Sequence, residues 1–399
     1  MKKRLLSLGM ALMLTAVAVT GCQGSGGSSS SGSGDSAGSS EGSFYIGGIG
    51  PTTGAAAIYG SCVANAAQIA VDEINANGGI NGYNVEYRFE DDVNDAEKSV
   101  NAYNSLKDWG MQILMGTVTT TPCIAVATET SADGMFEITP SASSTDVIDG
   151  NDNVYQVCFT DPNQGSASAD YIANDESNNV SKVAVIYDSS SVYSSGIHDT
   201  FVSEAANVGL EVVSDTAFTA DTNTDFSTQL QKAQESGAEL VFLPIYYQEA
   251  SIILQQAKSM NYAPIFFGVD GMDGILTLEG FDTSLAEGVM LLTPFSADAE
   301  DETTQNFVAQ YKEAYGDVPN QFGADAYDAI YIIKEAIEAA GATPDMSTDE
   351  LGAALTEAMG SLTFEGGITG DSMQWDENGA VNKAPKAVII ENGSYKPMD

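Results

Sequence analysis

Residues 112–143 read QILMGTVTTTPCIAVATETSADGMFEITPSAS. A strand pattern ends at Gly116, hydroxyl residues follow, an apolar helical pattern starts near Pro122, and a second strand pattern over 135–139 ends in another Ser cluster. Ligands of an open parallel sheet bind outside the carboxyl ends of its strands. Two strand ends rich in hydroxyls and free backbone N–H groups therefore predict a small-molecule site. Upstream, residues 44–50 read as a strand, and Val63, Ala66, Ala67, Ala70 and Ile74 mark a helical face stopped by Asn77-Gly78-Gly79. A strand over 85–90 and a helix carrying Val100, Leu106 and Trp109 complete a β-α-β-α-β order. That order predicts a parallel sheet with helices on both faces.

The downstream half repeats the alternation. Residues 182–188 form a strand pattern, and Ile197, Phe201, Ala205 and Val208 line a helix closed by Gly209. A strand at 212–213 precedes a helix with Phe226, Leu230 and Ala233 that stops at Gly237, and strands over 240–244 and 265–269 flank a helix over 248–259. Helices over 302–315, 324–340 and 350–359 follow, the last opened by the capping box Ser347-x-x-Glu350, and one more strand pattern covers 387–391. Two doubly wound lobes with several crossovers and a hinge are expected.

The 399 residues suffice for two cores, and 43% apolar with 18% charged residues suits a globular chain. Fourteen Lys and Arg stand against 56 Asp and Glu, a net charge of −42. Phosphate binding needs clustered cations, so this balance sets aside a nucleic-acid role. Lys2, Lys3 and Arg4 precede an apolar run over 5–19 and then Val19-Thr20-Gly21-Cys22. This resembles a bacterial lipoprotein signal with its lipobox, which implies a signal peptide over 1–21 and a diacylglyceryl group on Cys22. Residues 23–43 are nearly all Gly and Ser. As a flexible tether they reach roughly 25 Å from the membrane surface. Cys62, Cys123 and Cys158 remain; that compartment permits a disulfide, but three thiols leave at least one over. We read them as buried free thiols in preference to a Cys62–Cys123 or Cys123–Cys158 bridge.

Enzyme and cofactor motifs do not hold up. Gly48-x-Gly50-x-x-x-Gly54 has the wrong spacing for a dinucleotide fingerprint, and the acids ending the next strand lie too far on. Asp221-x-Asn223-x-Asp225 begins like a calcium loop but has Phe226 where Gly is required and Lys232 where Glu is required; a solvated turn before a helix fits it. The one histidine, His198, sits in a helical pattern, and the G-x-S-x-G spacings at 34–38 and 38–42 fall in the Gly/Ser-rich run and not on a strand-to-helix elbow that could present a nucleophile. No cofactor is expected, and the missing acid–base machinery favours a binding protein over an enzyme. Tyr59, Tyr193, Tyr246 and Asp270 each fall just after a strand or in the loop opening the next helix, on the face that carries the hydroxyls.

IGGIGPTTGAAAIYG (46–60), AVDEINANGGINGY (70–83), FEDD (89–92), LMGTVTTTPC (114–123), ITPSASS (138–144), DPNQG (161–165) and FFGVDGMDG (266–274) together resemble the amino-acid-binding lipoproteins of ABC importers, closest in type to the leucine/isoleucine/valine-binding proteins. The resemblance covers residues 44–399. It implies the type I periplasmic-binding fold, α/β, with two doubly wound parallel-sheet lobes joined by a three-strand hinge. It places lobe one at 44–161 plus 293–364 and lobe two at 162–292 plus 365–399. By position, Thr120 takes the ligand carboxylate, Ser141 and Ser143 contribute after the neighbouring strand, Tyr59, Tyr193 and Tyr246 are the loop tyrosines, and Asp270 pairs with the ligand ammonium. Branched-chain binders have glutamate at that last position, and the founding members' disulfide cannot form here because residues 91–95 contain no Cys.

A zwitterionic α-amino acid needs donors for its carboxylate and an acceptor for its ammonium. The loops named above contain no Lys or Arg, so hydroxyls and the N–H groups opening the helix near Pro122 must hold the carboxylate, with Asp270 as countercharge from the other lobe. The implied partners are an amino acid, aliphatic or branched-chain, and the permease and ATPase subunits of an importer. The implied setting is a lipid-anchored monomer on the outer face of the bacterial cytoplasmic membrane. An amide, urea or aromatic acid in the same fold, or a sensory ligand-binding domain, are the alternatives; a ligand without a cation would have no use for Asp270.

Overall fold

The computed structural model describes residues 42–175 and 177–398. Cys22, the leader and nearly all of the tether lie outside them. Among the described residues, no helix is long and apolar enough to cross a membrane.

The first sheet has the order β2-β1-β3-β4-β5 and is parallel throughout. Its strands are β1 (Ser43–Gly50), β2 (Asn84–Asp91), β3 (Ile113–Met115), β4 (Phe136–Thr139) and β5 (Val154–Gln156), connected in part by α1 (Ala57–Ala76), α2 (Ala96–Trp109) and α3 (Thr120–Asp133). β3 and β4 are buried along their whole length, as expected of strands covered on both faces. Gly116 ends β3 at φ 121°, and a Cβ there would lie 3.0 Å from Ile49 O, so only glycine lets the chain turn here against β1.

The chain then enters the second sheet through α4 (Asp161–Asn174), β6 (Lys182–Asp188), α5 (Val192–Val208), β7 (Glu211–Phe218), α6 (Ser227–Ser236), β8 (Leu240–Leu243), α7 (Tyr247–Ser259), β9 (Ile265–Gly268) and β10 (Met290–Thr293). α8 (Glu302–Tyr315), α9 (Gln321–Ala340) and α10 (Thr348–Met359) return to the first layer, where α9 packs on α1 and reaches β3 and β4. The short pair β11 (Phe364–Glu365) and β12 (Ser372–Met373) leads to β13 (Lys386–Glu391) and β14 (Ser394–Pro397). Three segments thus pass between the layers, after β5, after β10 and after β11–β12.

The second sheet runs β14-β13-β10-β9-β8-β6-β7, parallel except for the antiparallel β10–β13 and β13–β14 pairs. The sheet therefore departs from a purely parallel lobe at one edge. Asn392 and Gly393, both with positive φ, make the two-residue turn that folds β14 back on β13. The capping box of Ser347 and Glu350 is present, and α8 spans the residues read from sequence. Several elements escaped that reading: β5, β10, the short β11–β12 pair, β14 and α4, whose sequence DPNQGSASADYIAN lacks an apolar period. Cys62, Cys123 and Cys158 are buried free thiols. His198 is a packing residue: it stacks on Tyr187 at 3.8 Å between Asp199 and Asp215.

Candidate functional site

In each sheet the strand order reverses at one point, between β1 and β3 and between β6 and β8. The loops leaving these strands face each other across the cleft, as the topology of open α/β sheets requires of a ligand site. A cavity lies there. Tyr59, Thr119 and Ser141 line it from the first layer, and Tyr193, Tyr246 and Asp270 from the second. Its free volume is about 10 Å³, room for roughly one water. A wider cavity of about 310 Å³, lined by Ala55, Ala56 and Thr121 from the first layer and by Asp188, Tyr193, Tyr246 and Glu249 from the second, adjoins it.

Tyr59 is the aromatic centre. Its ring meets Tyr246, Tyr247 and Phe322 edge-on at centroid distances of 5.3, 5.0 and 4.6 Å. Such pairs each add ~0.5–1.5 kcal/mol beyond burial. The Tyr59 hydroxyl donates to Gly271 O and accepts from Tyr247 N, and Tyr247 Oη accepts from Ile58 N at 3.3 Å, so three bonds cross between the layers at this corner. Gly271 must be glycine, because a Cβ would lie 2.5 Å from Tyr193 Oη and 2.9 Å from Tyr246 Cδ1.

Asp270 is 2% exposed. Tyr193 Oη and Gly271 N both donate to its Oδ1, at 2.5 and 2.6 Å, and its own N–H donates to Gln164 Oε1 at 3.1 Å. Burial pushes its carboxyl up to about 6, against the bonds from Tyr193 and Gly271 that favour the charged form. Burial also raises the Tyr193 and Tyr59 hydroxyls far above their usual range, so both remain neutral donors.

The hydroxyl shelf is partly structural. Thr139 Oγ1 donates to Thr117 O and accepts from Ala142 N, and Ser141 Oγ donates to Val118 O at 2.7 Å, which ties the ends of β3 and β4 together. Other polar atoms around the cavity, Thr119 Oγ1 and Gln164 Nε2, have no hydrogen-bond partner among the described residues, and the buried Asp161 carboxyl has only the Ser143 hydroxyl beside it. Buried polar groups are nearly always satisfied. A cluster of unsatisfied donors and acceptors about one cleft is the chemical complement of a polar ligand. Asp161 is 1% exposed, its N–H donates to Ser143 O at 2.9 Å, and burial, reinforced by Asp270 and Asp146, lifts its carboxyl well above the usual range.

Five of the seven ligand residues read from sequence, Tyr59, Ser141, Tyr193, Tyr246 and Asp270, line the cavity. Thr120 and Ser143 do not. Thr120 is buried as the first residue of α3, and the wall carries Thr119, the N-cap, instead: the helix starts two residues before Pro122, which shifts the exposed hydroxyl by one position. Ser143 is fully buried beside Asp161. Thr119, Asp161, Gln164 and Phe322 carry no role in the sequence reading, although Asp161 and Gln164 sit in the DPNQG motif. Among the described residues, no Lys or Arg lines the cavity.

A family model described as "Periplasmic binding protein" matches residues 43–393. The Leu/Ile/Val-binding protein homolog 3 of Brucella melitensis is 30% identical over 343 residues, covering 83% of this chain and 91% of its own. The branched-chain amino acid substrate-binding protein LivJ of Streptococcus pneumoniae, solved with isoleucine, is 27% identical with a TM-score of 0.80, covering 89% of this chain and 98% of its own. The leucine-binding protein LivK of Thermotoga maritima is 26% identical with a TM-score of 0.79 at the same coverage. The chain belongs to the periplasmic binding protein family, a family of solute-binding proteins and not of enzymes, and within it to the Leu/Ile/Val-binding homologues.

Proposed function

We propose that the protein captures an amino acid, aliphatic or branched-chain, in the cleft between its two layers and delivers it to an ABC importer. The observation that carries the reading is the charge pattern of the cleft. A buried carboxylate, Asp270, faces neutral donors with no cationic side chain between them. That pattern complements a zwitterion. The ligand ammonium pairs with Asp270, with Asp161 beside it. The ligand carboxylate takes the hydroxyls of Thr119, Ser141 and Ser143 and the first N–H groups of α3, at a helix end suited to an anion. Tyr59, Tyr193, Tyr246 and Phe322 surround the side chain. Thr120 contributes through its backbone.

Lobe one comprises 44–161 plus 293–364 and lobe two 162–292 plus 365–399, with the three crossing segments as hinge. Because each lobe satisfies one end of the ligand, binding favours closure. Cys22 carries the lipid anchor, residues 23–43 act as the tether, and the protein works as a monomer on the outer face of the cytoplasmic membrane. The Brucella and Streptococcus relatives support the amino-acid class.

Calorimetry of ligand-stripped protein with a panel of amino acids tests the proposal. Binding of one or more aliphatic amino acids is expected; no heat from any member of the panel would sink it. Asp270→Ala should cost the bound amino acid more than ~2 kcal/mol, since the ammonium is then buried unpaired.

A further inference from the structure

The second acid of the FFGVDGMDG motif, Asp273, takes no part in the site above, yet it is 3% exposed and tied to the opposite layer. It closes a single 3-10 turn, Asp270–Met272, in which Asp273 N donates to Asp270 O at 2.8 Å and Met272 N to Val269 O at 3.0 Å. Its Oδ2 accepts from Gln321 N at 2.9 Å. Gln321 is the first residue of α9, which packs on α1, β3 and β4, whereas Asp273 follows β9 in the other sheet. A carboxylate from the second layer therefore caps a 20-residue helix of the first. The first N–H groups of a helix have no partner within it and carry the positive end of its dipole, so a buried acid there is doubly matched.

Gln321 grips the same turn with its side chain. Nε2 lies 3.2 Å from Leu292 O and 3.5 Å from Asp270 O, and the residue is 1% exposed. The backbone that presents Asp270 to the cavity is thus held from the first layer by Gln321 and by Tyr59 through Gly271 O, and from its own layer by Gln164 and Tyr193. The cavity in this arrangement has a free volume of about 10 Å³. An arrangement without Asp273–Gln321 and Gln321–Asp270 would leave the turn without this hold from the first layer.

We propose that Asp273 and Gln321 form an interlobe latch: they are positioning residues that fix the Asp270 turn as the lobes meet and set the fraction of molecules already closed before ligand arrives. The proposal rests on the reading of Asp270 as the ammonium anchor. The ligand's apparent affinity scales with the closed fraction, so weakening the latch raises the apparent Kd by the factor by which that fraction falls.

The test uses the full lipidated chain in detergent, with a dye pair at Asp108→Cys in α2 and Gln234→Cys in α6; both sites are exposed and the native thiols at 62, 123 and 158 are buried. Single-molecule energy transfer is recorded without ligand and during titration with leucine. Asp273→Asn keeps an oxygen acceptor and removes only the charge; Gln321→Ala removes the amide grip. Each is expected to lower the ligand-free closed fraction at least about threefold and to raise the leucine Kd by the same factor. Unchanged ligand-free distributions in both variants overturn the latch, as does a shifted distribution with an unshifted Kd. Should Asp273→Asn fail to fold, Gln321→Ala decides alone. If leucine binds none of the proteins, the amino-acid reading loses its support while the ligand-free distributions still judge the latch.

Discussion

Of two buried acids, Asp270 and Asp161, the first raises the proton affinity of the second, but their surroundings differ. Asp270 accepts two donors at one oxygen, whereas Asp161 has only the Ser143 hydroxyl beside it. The Asp270 carboxyl, pushed up to about 6 by burial, must be ionised to hold an ammonium. Affinity for an amino acid should therefore be level above that pH and fall on acidification below it, approaching tenfold per pH unit. Titration calorimetry between pH 4.5 and 8 checks this; affinity that rises on acidification would refute the pairing.

Glu137 offers an independent residue-scale test far from the ligand. It is fully buried on β4, with Oε2 accepting from Thr130 Oγ1 at 2.7 Å and Cys123 Sγ 3.4 Å from Oε1. Burial pushes its carboxyl up to about 8 from an ordinary 4.5. A raised carboxyl keeps its proton in the folded state after the unfolded chain has lost it. Its contribution is therefore fully present below pH 4.5 and is lost as pH rises through 8. Glu137→Gln should abolish this loss and stabilise the protein at pH 8.5 by up to a few kcal/mol, read as a denaturation midpoint. An unchanged slope of stability with pH would contradict it.

At the scale of elements, the third crossing segment is pinned to α9 by an ion pair and a hydroxyl. Lys383 Nζ lies 2.6 Å from Asp325 Oδ1 and from Thr369 Oγ1, and Asp328 accepts Ile368 N, Thr369 N and Thr369 Oγ1. Both ends of the pair are nearly inaccessible, at 3% and 2% side-chain exposure. Lys383→Met leaves Asp325 buried without its cation and should destabilise by ~3–5 kcal/mol, whereas Lys383→Met with Asp325→Leu should recover much of that loss. Denaturant unfolding of the single and double variants decides the matter.

The elements also show where sequence patterning works. Helices with an apolar stripe and a glycine stop, such as α5 ending at Gly209 and α6 ending at Gly237, are legible because the stripe and the stop each carry a physical signal. α4 was not, because its packing rests on small residues instead of an apolar stripe. Gly165 lets α5 come close: a Cβ there would lie 2.6 Å from Ile197 O. The β13–β14 turn did carry a legible cue, Asn392-Gly393, in a tail read as a single strand. The site was legible as a set of loops. Which hydroxyl faces the cavity was not, since the one-residue offset between Thr119 and Thr120 depends on where α3 begins.

For the molecule as a whole, the proposed ligand, held by hydroxyls of the first layer and by Asp270 of the second, would be part of the closing interface. The three hinge segments permit parting, and the Tyr59, Ile58 and Gln321 bonds favour meeting. In the proposed reading, a chain of net charge −42 that holds a zwitterion without a cationic side chain must rely on local geometry over long-range attraction. The most direct test of this account is titration of ligand-stripped protein with leucine, with 4-methylpentanoate, which lacks the ammonium, and with isopentylamine, which lacks the carboxylate. Leucine should bind, and each analogue should be weaker by about 100-fold or more, on the order of 2.7 kcal/mol. Binding of 4-methylpentanoate as tight as that of leucine would contradict the account.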